Sequence, residues 1–169
     1  MTQHAAGPIL DAPSGYGRNA RLMAALGFRV VCLDIAVERL RATVDPRYSL
    51  WVPSSCRLPW AAARGRLEPT HVDLLKDTLP FKDHSFAGVI NVHFTKPELL
   101  GEFSRVLLPG GFLFVETAGG QGRNYRELPP PGAMKRLLPS TFTLEWYREQ
   151  RVGPTSANAV TVKLFAVKV

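Results

Sequence analysis

The chain has 169 residues, 46% of them hydrophobic and 21% charged, with a formal net charge of +7. That balance excludes a disordered or low-complexity chain and fits one domain over residues 1–169 with a sizeable core. No apolar run approaches the ~20 residues that span a bilayer, Met1-Thr2-Gln3-His4 does not open a signal peptide, and Cys32 and Cys56 set up neither a disulfide framework nor a zinc pattern. A cytoplasmic protein without a membrane partner or a metal site is therefore expected. The arginines are scattered rather than clustered, so a solvated basic surface is favoured over a nucleic-acid face.

Ile9 to Pro13 reads as a buried strand that stops at the turn Ser14-Gly15-Tyr16-Gly17. Gly15 and Gly17 can take positive φ and let a ligand approach the backbone. A helix from Arg18 to Leu26 follows, with Ala20, Met23, Ala24 and Leu26 as its apolar stripe and Gly27 as its terminator. Its amino end offers unpaired N–H groups and a positive dipole end, a setting for a small polar ligand. The spacing Gly15-x-Gly17-x-x-Ala20 fits the dinucleotide pattern. Asp11 opposes that reading, because an acid beside the glycines repels a pyrophosphate and suits an ammonium group.

Phe28 to Leu33 is a second strand that ends at Asp34. A carboxylate there can accept both hydroxyls of a ribose diol, or it can cap the helix from Val37 to Ala42. Thr43 to Arg66 is broken by Pro46, Pro53 and Pro59 and reads as a loop, with Trp51 and Trp60 as a hydrophobic anchor or a lid. Leu67 to Val72 is a third strand leading to Asp73-Leu74, and Phe86 to Val92 is a central fourth. Thr95 and Glu98 have the spacing of a capping box, opening a helix that carries Leu99, Phe103, Val106 and Leu107 on one face. Pro109-Gly110-Gly111 stops it before a fifth strand, Phe112 to Val115. Ala133 to Leu138 reads as a short helix. Phe142 to Arg148 and Val160 to Val169 alternate as strands joined through Gly153-Pro154.

Asp11 to Gly17 resembles the first motif of the class I S-adenosylmethionine-dependent methyltransferases, an acid followed by a Gly-x-Gly-x-Gly-like loop, with Pro13 where the first glycine usually stands. Leu107-Leu108-Pro109-Gly110-Gly111-Phe112-Leu113 resembles that family's connection into the fifth strand. The resemblance implies an α/β fold, a doubly wound and mostly parallel seven-stranded sheet closed by a C-terminal antiparallel hairpin. It implies S-adenosylmethionine as cofactor and S-adenosylhomocysteine as product. The implied cofactor residues are Asp11 at the methionine ammonium and Gly15 and Gly17 beneath the methionyl part, with Pro13, Tyr16 and Arg18 along the same loop. Asp34 is expected at the ribose, with Ile35 next to it among the cofactor residues, Asp73 and Leu74 at the adenine, and Asn91 through its carbonyl near the ammonium.

Methyl transfer to a small-molecule acceptor by in-line displacement is the activity expected, with His93 as the candidate acceptor-side base, or else a partly buried structural histidine. Asn91-Val92-His93-Phe94 is not the Asn/Asp-Pro-Pro-Tyr/Phe signature of enzymes that methylate exocyclic base nitrogens or glutamine, which argues against those acceptors. Arg123, Asn124 and Tyr125 follow the fifth strand, where such enzymes often bind substrate. The details after that strand resemble the tellurite-resistance-type branch. RNA or protein acceptors, or a non-catalytic module that only binds S-adenosylmethionine, are the alternatives. Related enzymes usually carry helices before the first strand, and eight residues precede Ile9 here. The cofactor is then more exposed, or covered by a second subunit, so a monomer or a homodimer is expected.

Overall fold

In the computed structural model, the described residues are 6–48, 65–76, 78–120, 128–152 and 159–169. Trp51, Cys56, Trp60, Arg123, Asn124, Tyr125 and the Gly153-Pro154 joint lie outside them. In chain order the elements are β1 (Ile9–Asp11), α1 (Arg18–Ala25), β2 (Val30–Asp34), α2 (Val37–Val44), β3 (Leu67–His71), β4 (Phe86–Val92), α3 (Leu99–Val106), β5 (Leu107–Gly119), α4 (Ala133–Arg136), β6 (Phe142–Val152) and β7 (Ala159–Lys168). All seven strands join one sheet in the order β3-β2-β1-β4-β5-β7-β6. The first five pair in parallel, and β7 runs antiparallel between β5 and β6.

The burial pattern follows from that order. β1 and β2 are buried at every position, as strands covered on both faces must be. Leu10, Leu33, Val89, Leu113 and Leu164 form one face with Phe103 of α3 and Met134 of α4. Ile9, Val30, Cys32 and Ile90 form the other with Ala20 and Ala24 of α1 and Leu40 of α2. On this second face, farther along the sheet, Phe112 and Phe114 of β5 are only partly buried. Within β4, residue 88 is a glycine because the Phe112 ring lies over it; a Cβ there would fall 2.3 Å from the ring.

Two local expectations change. The capping box does not form: α3 starts at Leu99, Glu98 makes no side-chain cap, and the Thr95 hydroxyl bonds that of Thr117 instead. A partner on a distant strand is invisible to a local pattern. Pro109-Gly110-Gly111 also does more than end the helix. Phe86 pairs with Leu107 and Gly88 with Phe112, so the segment is taken into β5 as an irregularity. Nearby, Arg105 gives five guanidinium hydrogen bonds to Glu102, Asp83 and the carbonyls of Leu79 and Phe81. Those bonds fasten the Leu79-Pro80-Phe81 turn to α3.

Candidate active site

The strand order reverses between β1 and β4, and in open α/β sheets ligands bind at that switch point beyond the carboxyl ends of the strands. A cleft of about 450 Å³ opens there. The loop after β1 supplies Pro13, Ser14, Gly15, Tyr16, Arg18 and Asn19; β2 supplies Asp34, α2 Arg39, and the end of β4 Val92 and His93.

The two glycines of the loop are used differently. Gly15 has φ 53 and a side chain there would meet nothing within 4 Å, so its open side faces free space. Gly17 has φ 74 and begins α1, but a Cβ would lie 2.4 Å from the Thr43 methyl. Gly17 therefore lets α1 and α2 close against each other, with Thr43 fully buried between them. The loop is tied down from both sides. Asn91 Nδ2 donates to the Ala12 carbonyl at 2.6 Å, and Ser14 N–H donates to the Leu33 carbonyl at 2.6 Å.

Asp34 is 2% exposed at the tip of β2. Its Oδ2 accepts from Gly15 N–H at 2.9 Å, and its Oδ1 from Ala36 N–H at 2.9 Å. A carboxylate has further acceptor capacity on each oxygen. Asp34 thus fastens two loops and still presents lone pairs to the cleft it lines. Arg39 stands 3.8 Å from Oδ1, with its guanidinium over the Tyr16 ring at 5.8 Å.

Asp11 is fully buried one layer below. Its Oδ2 accepts from Ala20 N–H at 3.0 Å and so caps the first turn of α1. Oδ1 is buried without a hydrogen-bond partner, as is Ser14 Oγ. Burial pushes the Asp11 carboxyl up to about 7; the Asp34 charge pushes the same way and the Ala20 N–H opposes both. The same buried layer pushes the Cys32 thiol up to about 12, chiefly by desolvation, with the Asp11 charge adding to it.

The cleft thus gathers Pro13, Gly15, Tyr16, Arg18, Asp34 and His93 from the residues expected at the site. Asp11 and Asn91 support it from beneath, and Ile35 is exposed just past Asp34. Asp73 and Leu74 stand outside this cleft. Asp73 Oδ1 accepts from Leu75 N–H, Leu74 is packed in the core, and Lys96 Nζ donates to the carbonyls of Leu74 and Leu75. His93 is exposed at the rim with φ 58, held by its N–H to the Glu116 carbonyl at 2.8 Å. Ser14, Asn19, Arg39 and Val92 were not singled out by the sequence. Arg39 is five residues past Asp34 on the first turn of α2, and that offset is the signal that could have found it.

Residues 10–115 match the family model described as a methyltransferase domain. The chain belongs to that family. Among solved structures, this methyltransferase is similar to a SAM-dependent methyltransferase from Methanosarcina mazei, with 19% identity over 98% of this chain and 95% of the other and a TM-score of 0.68. It is similar to TehB from Haemophilus influenzae, with 12% identity, 96% and 57% coverage and a TM-score of 0.70. It is also similar to geranyl diphosphate methyltransferase in complex with SAM, with 13% identity, 99% and 81% coverage and a TM-score of 0.66. At those identities the likeness is one of fold. The search of curated proteins gives no match. The class I reading stands: this is an S-adenosylmethionine-dependent methyltransferase with a Rossmann-like sheet. Among the described residues no helix is long and apolar enough to cross a membrane, and no cluster of His, Cys, Asp and Glu could hold a metal ion.

Proposed function

We propose that this methyltransferase acts on a small-molecule acceptor and holds its cofactor in the cleft over Gly15. The observation that carries the reading is the cleft at the β1/β4 switch point, lined by an open glycine and by an acid at the β2 tip. The residues fit the cofactor's parts. Gly15 admits a close approach to the backbone. The free lone pairs of Asp34 suit a ribose diol, and the Asp73-Leu74 turn, which follows Val72, whose N–H donates to the Asp34 carbonyl at 3.2 Å, is assigned to the adenine. Asp11 Oδ1 and Ser14 Oγ are the orphaned atoms nearest the loop, suited to an ammonium donor directly or through water.

When bound, S-adenosylmethionine supplies a methyl group on a sulfonium, an electrophile that needs little acid–base help. The protein's task is then to hold the acceptor in line and keep it from diffusing. In this reading His93, exposed at the rim of the cleft, takes a proton from the acceptor. Small-molecule enzymes stand among the structural relatives, which supports that acceptor class.

Calorimetric titration with S-adenosylmethionine, S-adenosylhomocysteine and NAD tests the reading. The first two are expected to bind and NAD to bind far more weakly. Asp34→Asn is expected to weaken both by about tenfold or more, the loss of a charged hydrogen-bond acceptor. Equal binding of all three ligands, or indifference to the substitution, overturns it.

A further inference from the structure

The second face of the sheet holds another depression, of about 360 Å³, on the antiparallel strands β5, β7 and β6. Pairing sets what lines it. Glu116 of β5 stands opposite Lys163 of β7, and Lys163 opposite Arg148 of β6. The next rows toward the hairpin end carry Thr161 and Gln150, and Trp146 closes the other end.

Charge in this trough is unbalanced. Lys163 Nζ is paired with Glu116 at 3.1 Å. The Arg148 side chain is exposed and has no hydrogen bond, ion pair or ring contact among the described residues. One acid therefore faces two cations, beside a half-exposed indole. A planar guanidinium next to an ammonium is suited to a carboxylate or phosphate.

The trough adjoins the cofactor cleft at neighbouring strands. Val92 lines the cleft, Glu116 lines the trough, and the two are register partners on adjacent strands. The His93 N–H to Glu116 carbonyl bond joins the two walls. At about 4.8 Å per strand, Lys163 lies about 10 Å and Arg148 about 14 Å from the Val92 wall, measured along the sheet.

We infer that this trough binds the acceptor, and that the acceptor is an elongated small molecule whose anionic group lies remote from its methyl-accepting atom. The inference rests on the cofactor placement proposed above. The anion sits between Lys163 and Arg148, the body passes beside Trp146 and Glu116, and the nucleophile reaches the rim at His93. An acceptor too short to span that distance cannot hold both ends at once.

Thiol carboxylates of graded length test this, since a thiol is a nucleophile that needs no dedicated base. The thiol sulfur bonds to the methyl carbon as the sulfonium–methyl bond breaks, the electron pair stays on the donor sulfur, and the thiol proton passes to buffer. Mercaptooctanoate is expected to give kcat/KM at least tenfold above mercaptopropanoate and above mercaptooctanol, which lacks the anion. Arg148→Gln is expected to raise KM for mercaptooctanoate at least tenfold while leaving mercaptooctanol and the affinity for S-adenosylmethionine unchanged. Binding of mercaptooctanoate without any methyl donor is followed by NMR on the Trp146 indole, assigned with Trp146→Phe. A shift of that signal that Arg148→Gln abolishes, in a protein that fails to bind S-adenosylmethionine, leaves the trough standing and removes the cofactor placement. No shift, equal loss for charged and neutral thiols, or a concentration-dependent dimer that shields Trp146 instead, overturns the inference.

Discussion

At the scale of single residues, Asp11 and His93 carry separable predictions. The Asp11 carboxyl keeps its proton to about 7 in the folded protein, against an ordinary value of 3.8. Between those values the native chain holds a proton that the unfolded chain releases. The stability this contributes is full below about pH 4 and is lost as pH rises toward 7. Urea unfolding is expected to show free energy falling across that window. Asp11→Asn keeps an acceptor for Ala20 N–H and is expected to flatten the fall. His93 has φ 58, a region that costs a non-glycine residue about 1 kcal/mol. His93→Gly is expected to raise stability by up to about that amount while lowering methyl transfer about 100-fold if the imidazole takes the acceptor's proton. Activity unchanged at higher stability would assign His93 to the rim alone. Asp11 and Asp34 were readable in the sequence because an acid at the end of a strand is a matter of spacing. That Asp11 lies wholly buried and Asp34 already bridges two backbone N–H groups was not readable, since both facts depend on which loop folds over which strand.

At the scale of elements, the loop between β1 and α1 separates packing from binding. Gly17→Ala places a methyl against Thr43 at 2.4 Å and adds the cost of φ 74. It is expected to cost about 2–4 kcal/mol in chemical denaturation, by overpacking α1 against α2. Gly15→Ala meets no atom, so its stability cost is expected to stay near the ~1 kcal/mol of its left-handed φ. Gly15 lines the cleft, and affinity for S-adenosylmethionine is expected to fall more than stability does on adding the methyl; the opposite ranking would move the cofactor off this loop. The sequence marked both positions as glycine for one reason, and only the approach of Thr43 from α2 tells them apart. α3 teaches the same lesson. Thr95 and Glu98 have the right spacing for a cap, but a hydroxyl on β5 competes for Thr95. Strand boundaries were legible where apolar runs were long, as in Phe86–Val92, and short by several residues in β5 and β6, where a Pro-Gly-Gly segment before Phe112 and polar residues after Val115 and Arg148 extend the strands.

At the scale of the whole molecule, order along the sheet decides what each region can do. The parallel half places the cleft at its reversal point, and the antiparallel half extends the platform toward Arg148. Alternation in Phe142 to Arg148 and Val160 to Val169 made the hairpin legible, but not that β7 inserts between β5 and β6, which local periodicity does not encode. The central layer has one more use. Cys32 sits at 0% exposure in the second strand with its thiol held almost wholly protonated. An alkylating reagent can reach it only when that layer opens, so in a Cys56→Ser background iodoacetamide uptake, followed by mass, becomes a clock for the molecule's rarest fluctuation. Its rate is expected to slow when S-adenosylmethionine is added, in proportion to occupancy; an uptake rate blind to the nucleoside would mean the sheet breathes independently of the groove above it.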